Sequence, residues 1–149
     1  MRLVIQRVTH AEVVVDDKTV GQCGHGYMVL CGAEIGDTDA DVEYCVQKTA
    51  YLRVFEDDNG KMNRSILDIS GSILAISQFT LLGDARHGRR PSFDQAERPD
   101  AAKALYERYC EKLRALGIPV ECGIFGADMK VSLTNDGPVT ILMDSRKGF

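Results

Sequence analysis

Apolar residues alternate with polar ones, or gather in short unbroken runs, over most of this chain, and recur at helical spacing in only two segments. Residues 2 to 8 and 11 to 16 are rich in β-branched residues, and Asp16-Asp17-Lys18 supplies turn chemistry before Thr19-Val20-Gly21, which predicts short antiparallel strands. Gly26-Tyr27-Met28-Val29-Leu30-Cys31-Gly32 is a continuous apolar run between glycines, as suits a central strand buried on both faces. The preceding Gly21-Gln22-Cys23-Gly24-His25-Gly26 is glycine-dense but lacks the Lys-Ser/Thr of a phosphate loop and opens no helix, so a hairpin is predicted.

Asp37-Thr38 opens the first helical pattern, in which Val42, Cys45, Val46, Thr49 and Leu52 share a face, predicting a helix over 39 to 54. Asp57-Asp58-Asn59-Gly60 is a turn, and residues 72 to 82 form a second central strand. A polar, arginine-rich connection from 83 to 98 leads to the second helix. There Pro99 suits the first turn, Ala102, Leu105, Tyr106, Tyr109, Leu113 and Leu116 line one face, and Gly117 with Pro119 ends it. Strands near 119 to 124, 128 to 134 and 138 to 144 complete an α+β fold, a largely antiparallel or mixed sheet layered with two main helices. Neither regular βαβ alternation nor GxGxxG occurs, so a dinucleotide fold is not expected.

With 149 residues, 44% hydrophobic and 27% charged, the chain is expected to form one domain over residues 1 to 149. The net charge of -4, from 18 basic and 22 acidic residues, excludes a general polyanion binder, so any nucleic-acid contact should be local. Five cysteines without CxxC spacing and three histidines without HxxxH spacing predict buried free thiols, no metal site and no cofactor. The opening Met1-Arg2-Leu3-Val4-Ile5-Gln6-Arg7-Val8 is too short an apolar run for a signal peptide, and no stretch approaches the roughly 20 residues of a membrane span. A cytoplasmic protein without a membrane role is expected.

Three segments carry candidate chemistry. Asn135-Asp136-Gly137-Pro138-Val139-Thr140 puts a Gly-Pro pair between residues that read as strand. Proline removes a ladder donor and belongs at an edge, a bulge or a turn, while glycine lets the main chain approach another body closely. By itself the segment reads as a tight turn between strands. Ser77-Gln78-Phe79-Thr80 sets three polar side chains at the end of an apolar strand, where they need partners, either an internal network or a ligand. Arg86-His87-Gly88-Arg89-Arg90-Pro91-Ser92-Phe93 gathers three arginines and an aromatic in a loop that can hold phosphates and stack a base, or lie solvated. No GxSxG elbow occurs.

Ser77-Gln78-Phe79-Thr80 and Asn135-Asp136-Gly137-Pro138-Val139-Thr140 resemble the two signature motifs of the D-aminoacyl-tRNA deacylases. The resemblance spans the chain, taking in Ile5-Gln6-Arg7-Val8, Phe55-Glu56-Asp57, Gly60-Lys61-Met62-Asn63, Arg90-Pro91-Ser92-Phe93 and Gly123-Ile124-Phe125-Gly126-Ala127-Asp128-Met129. It implies a homodimer that hydrolyses the ester between a D-amino acid and the 3′-terminal adenosine of tRNA, and that also accepts glycyl-tRNA. A cis Gly137-Pro138 of one subunit would complete the pocket of Ser77, Gln78, Phe79 and Thr80 in the other, with Asn135 beside it and Arg7 and Met129 supporting it. Such a backbone wall would reject an L side chain by clash and pass glycine, which has none. The resemblance also favours an oxyanion held by groups around Gln78, Phe79 and Thr80, with the RNA's own 2′-hydroxyl assisting. Thr80 as a covalent nucleophile is the alternative mechanism, and it needs an activating base that the sequence does not identify. A tRNA 3′-end binding module without chemistry and a hydrolase of small D-amino-acid esters stand as alternative functions.

Overall fold

A computed structural model describes residues 1–149. Where the pattern predicts two short strands, β1 (Arg2–Val15) is a single strand, because β8 (Lys130–Asp144) runs antiparallel beside it almost end to end and carries it through the exposed Thr9-His10. Asp16 and Asp17 turn the chain into β2 (Lys18–Cys23) with φ of 50° and 63°, the left-handed pair that a two-residue hairpin requires. β2 and β3 (Gly26–Gly32) then pair with β1 in one common register, Cys23 facing Ala11 and Gly26 facing Val8. Gly21 to Gly26 is therefore a bend within one line of strand, and the hairpin expected there is replaced by the hairpin at Asp16-Asp17. The edge of β1 continues past the bend, so the ladder bonds favour running on over turning back.

β6 (Ser72–Ser77) lies parallel to β3, and β7 (Val120–Cys122) parallel to β6, so the sheet is mixed and the α+β class holds. β4 (Phe55–Glu56) and β5 (Met62–Arg64) form a separate small hairpin around the Asp57–Gly60 turn. Both central strands are covered on two faces, which explains their unbroken apolar runs. Tyr27, Val29, Ile73 and Ala75 pack under α1 (Asp39–Tyr51) and α2 (Pro99–Ala115), whereas Met28, Leu74 and Ile76 pack with Val8, Ala11 and Val13 on the other face. Gly21 shows how the sheet curls almost closed. A Cβ there would stand 2.5 Å from the carbonyl oxygen of Cys122, so β2 crosses onto β7 only because that position has none.

Asp41 accepts the backbone N–H of Thr38 at 2.8 Å at the start of α1, and the helix stops at Tyr51 because Leu52 is extended, earlier than the pattern predicts. Tyr106 on α2 donates its hydroxyl to the Ala75 carbonyl at 2.6 Å, pinning that helix to β6 beside the signature residues. No helix is long and apolar enough to cross a membrane.

Candidate active site

The strand expected over 72 to 82 is shorter in the structure. β6 ends at Ser77, and Phe79–Leu82 wind into a turn of 3₁₀-helix. The ladder runs out there: Gln78 donates its N–H to Cys31 at 2.8 Å, beyond which β3 offers nothing and β7 has already stopped. Backbone groups with no neighbouring strand bond locally instead, Leu81 N–H to Gln78 O at 3.3 Å and Gly83 N–H to Thr80 O at 3.0 Å. As a result Ser77, Gln78 and Thr80 stand at the rim of the sheet, half-buried or exposed, where water can satisfy them without an internal network. Phe79 is 56% exposed, with its ring braced edge-on by Phe93 at 5.1 Å.

Two cavities flank this rim. One, of about 70 Å³, lies between Gly32, Ser77, Phe79, Tyr106, Phe125 and Gly126. The other, of about 240 Å³, is bounded by Ile76, Gln78, Phe79, Ala127, Met129 and Val131. Neither lining contains Asp, Glu, His, Lys or Arg. The titratable groups that do line the smaller one, Cys31 and Tyr106, are both pushed up by burial and stay neutral. The hydroxyl of Thr80 accepts a hydrogen bond from the side-chain amide of Gln78, a donor that cannot take a proton from it. A cavity of about 260 Å³ near His10 and Glu121 holds none of the signature residues.

The second signature is a bulge within β8, where the sequence reads as a turn between two strands. Gln6 faces Thr140 and Val8 faces Asn135, so Arg7 alone stands opposite the four residues Asp136 to Val139. β8 is an edge strand, and the bulge accommodates the donor that proline lacks. The Asn135 side chain closes the base of the bulge in the manner of a strand partner, accepting the Val139 N–H at 2.9 Å and donating to the Val139 carbonyl at 3.2 Å. Arg7 is 6% exposed and braces it from beneath, donating from Nε to the Asp136 carbonyl at 3.0 Å and from Nη1 to the Val54 carbonyl at 2.6 Å. The Gly137–Pro138 peptide is cis, and both residues are exposed at the crest.

Within one chain these two signatures do not meet, since residues 135 to 138 line neither cavity at Ser77–Phe79. Arg7 stands with the Gly-Pro element, whereas Met129 lines the larger cavity of the other signature. The arginine loop is closed by paired backbone bonds between Asp84 and Ser92 at 2.7 and 2.8 Å. Arg86 binds Asp84 at 2.6 Å and holds its carboxyl down to about 2, while Arg89 and Arg90 are exposed and make no ion pair.

The model of the D-Tyr-tRNA(Tyr) deacylase family matches residues 4–144. The chain belongs to that family. A D-aminoacyl-tRNA deacylase of Bacillus pumilus (strain SAFR-032) is 59% identical over 147 residues, 99% of this chain and 100% of the relative. One of Thermotoga petrophila (strain ATCC BAA-488 / DSM 13995 / JCM 10881 / RKU-1) is 54% identical over 149 residues, all of both chains. Among solved structures, the c-Myc DNA Unwinding Element Binding Protein superposes with TM-score 0.91 at 40% identity, covering 97% of this chain and 98% of its own. A structure described as "a probable eukaryotic D-amino acid tRNA deacylase" superposes with TM-score 0.82 at 23% identity over 96% and 98%, which attests the fold. In this deacylase-family chain, sequence reasoning did not single out Tyr106 as a wall of the smaller cavity or Asn135 as the closure of the bulge. Tyr106 was legible only as a polar-tipped aromatic on the apolar face of α2, and Asn135 gave no signal beyond its motif.

Proposed function

We propose that this chain, a D-aminoacyl-tRNA deacylase by family, releases the D-amino acid from the tRNA 3′ end in the cytosol, in a site that two copies of the chain complete together. The observation that carries this reading is the exposure of Gly137-Pro138 at the crest of a rigidly braced bulge, where neither residue lines the cavities at Ser77–Phe79 of its own chain. An element held that firmly by Arg7 and Asn135, yet facing outward, suits insertion into another copy's cavity at Ser77–Phe79. The outer edge of the 15-residue β8 has no partner strand, and a long open edge favours association.

The chemistry follows from a neutral pocket. An ester needs a nucleophile and a place for negative charge to develop, and no side chain in these walls can accept a proton from water. The backbone N–H groups of Phe79 and Thr80 have no partner among the turn and loop hydrogen bonds and stand where an oxyanion could be held. The RNA's own 2′-hydroxyl, vicinal to the ester, can assist by holding the attacking water through a hydrogen bond, with bulk water taking up the proton. Phe79 presents an exposed, braced ring on which the terminal adenine can stack, and Arg89 and Arg90 are free for nearby phosphates. A main-chain wall that fixes the ammonium and Cα leaves no room for an L side chain, so glycine passes for the same reason that a D residue does.

D-tyrosyl-tRNA and L-tyrosyl-tRNA offered side by side, with a 2′-deoxy terminal adenosine as third substrate, are expected to give rapid loss of the D-ester alone and failure on the deoxy form. Equal hydrolysis of both stereoisomers would overturn the chiral reading. Thr80→Ala is expected to retain activity within about tenfold of the unaltered protein, against a loss on the order of 10⁶ when a covalent nucleophile is removed. Single-turnover rates decide between the two. A second reading, nucleic-acid binding without hydrolysis, has support in the likeness to a protein named for binding a DNA element and in the two unpaired arginines. Retention of the tRNA with no turnover of any ester would select it.

A further inference from the structure

We propose that Cys110 and Cys122 form a peroxide-reactive dithiol that closes to a disulfide behind the wall of the Ser77–Phe79 cavity. Their Sγ atoms, one on α2 and one at the end of β7, are 3.5 Å apart, and a disulfide needs about 2.05 Å. Both cysteines line a cavity of about 430 Å³ whose walls also include Lys103, Arg114 and Ile124, a route for a small oxidant. Cys110 is buried and Cys122 half-buried, which makes Cys122 the first to be reached. Arg114 donates from Nη2 to the Cys122 sulfur at 3.5 Å. The neighbouring Cys110 thiol, then the Arg114 guanidinium, lower the Cys122 thiol against the burial that raises it, whereas Cys110 is pushed up by its partner and by burial. Burial raises Cys23 to about 11 and Cys45 to about 12, and raises Cys31 further, so these three stay inert thiols.

The steps balance with a hydroperoxide as oxidant. The Cys122 thiolate attacks one peroxide oxygen, an S–O bond forms, the O–O bond breaks, and hydroxide leaves a sulfenic acid behind. The Cys110 sulfur then attacks the Cys122 sulfur. The S–S bond forms as the S–O bond breaks, and the Cys110 proton departs with that oxygen as water, so two thiols have given two electrons to the peroxide. Closure draws the end of β7 toward α2. The chain leaves β7 through Gly123 to Phe125, and Phe125 with Tyr106, whose rings are 6.2 Å apart, walls the smaller cavity at Ser77 and Phe79. The effect on hydrolysis rests on the function proposed above; the disulfide does not.

Treating the full chain with hydrogen peroxide and digesting it under non-reducing conditions should yield one linked peptide pair, Cys110 to Cys122, with a mass loss of about 2 Da that a thiol reductant reverses. Cys110→Ser should stop the reaction at a sulfenic acid on Cys122 that dimedone traps, and Cys122→Ser, at the half-buried strand end, should abolish both products. Absence of the linked pair, or oxidation of Cys23 at the same rate, would overturn the proposal whatever the protein does to tRNA. Oxidised protein should cleave D-tyrosyl-tRNA about tenfold more slowly until reduced, as a displaced cavity wall would bring about. An unchanged rate in protein shown to be linked would remove the coupling to the cavity.

Discussion

Gly137→Ala is expected to lower hydrolysis of D-tyrosyl-tRNA by about 100-fold while leaving the fold intact, the scale of loss that a displacement of about 1 Å at a positioning element brings. Gly137 has φ of 133°, a conformation that L residues rarely adopt. A Cβ there would approach Cγ2 of Val139 at 2.8 Å, the Val139 nitrogen at 3.0 Å and Nη2 of Arg7 at 3.2 Å. Two of these neighbours are themselves the fastening of the bulge, so the added methyl cannot be absorbed by a free side chain. The crest must move, while both core clusters, which take only Val139 from this segment, remain packed. Steady-state rates with circular dichroism as a control for folding check the expectation, and an unaltered rate would remove the wall from the site. A mixing experiment goes further. Gly137→Ala protein combined with a Gln78→Ala, Phe79→Ala double variant should recover about a quarter of full activity after subunit exchange, because half the dimers would then hold one site built from an intact cavity and an intact wall. No recovery would mean that both signatures act within the same chain.

Arg7→Met should cost about 2–4 kcal/mol of stability and lower the hydrolysis rate about tenfold, because it removes two charge-assisted hydrogen bonds and keeps the aliphatic bulk. The guanidinium joins Asp136 on the bulge to Val54 at the entry of the β4–β5 hairpin, and Nε lies 3.5 Å from the Asp136 carboxylate as well. With methionine in its place, the Val54 carbonyl is left in a buried position without a donor, and the bulge loses its brace from below. Urea midpoints measure the first effect. Rates taken well below the unfolding transition measure the second, which a purely structural arginine would leave unchanged.

The local signals in the chain were sound where the next few residues decide the outcome. The Asp16-Asp17 turn, the Asp57–Gly60 turn, both helices, and the two-faced burial of β3 and β6 all follow from short-range pattern and turn chemistry. The signature motifs were legible as well, since Gly-Pro within a strand pattern and polar residues at the end of an apolar run each break a local rule. Errors came where a distant strand decides. β1 reads as two pieces until β8 lies beside it, β6 reads as running to 82 until its neighbours prove too short, and Gly21 to Gly26 reads as a hairpin until β1 offers both halves one edge.

What the sequence by itself determined is therefore the α+β class, the two helices, the family and the residues of both signatures, because periodicity, turn residues and motifs are properties of neighbours along the chain. Tertiary structure alone decided that Gly137-Pro138 crests a bulge braced by Arg7, that it lies outside the Ser77–Phe79 cavities of its own chain, and that Cys110 meets Cys122. Each of these depends on register and on the curl of the sheet, which are set by hydrogen-bonded partners far apart in sequence that no local pattern encodes.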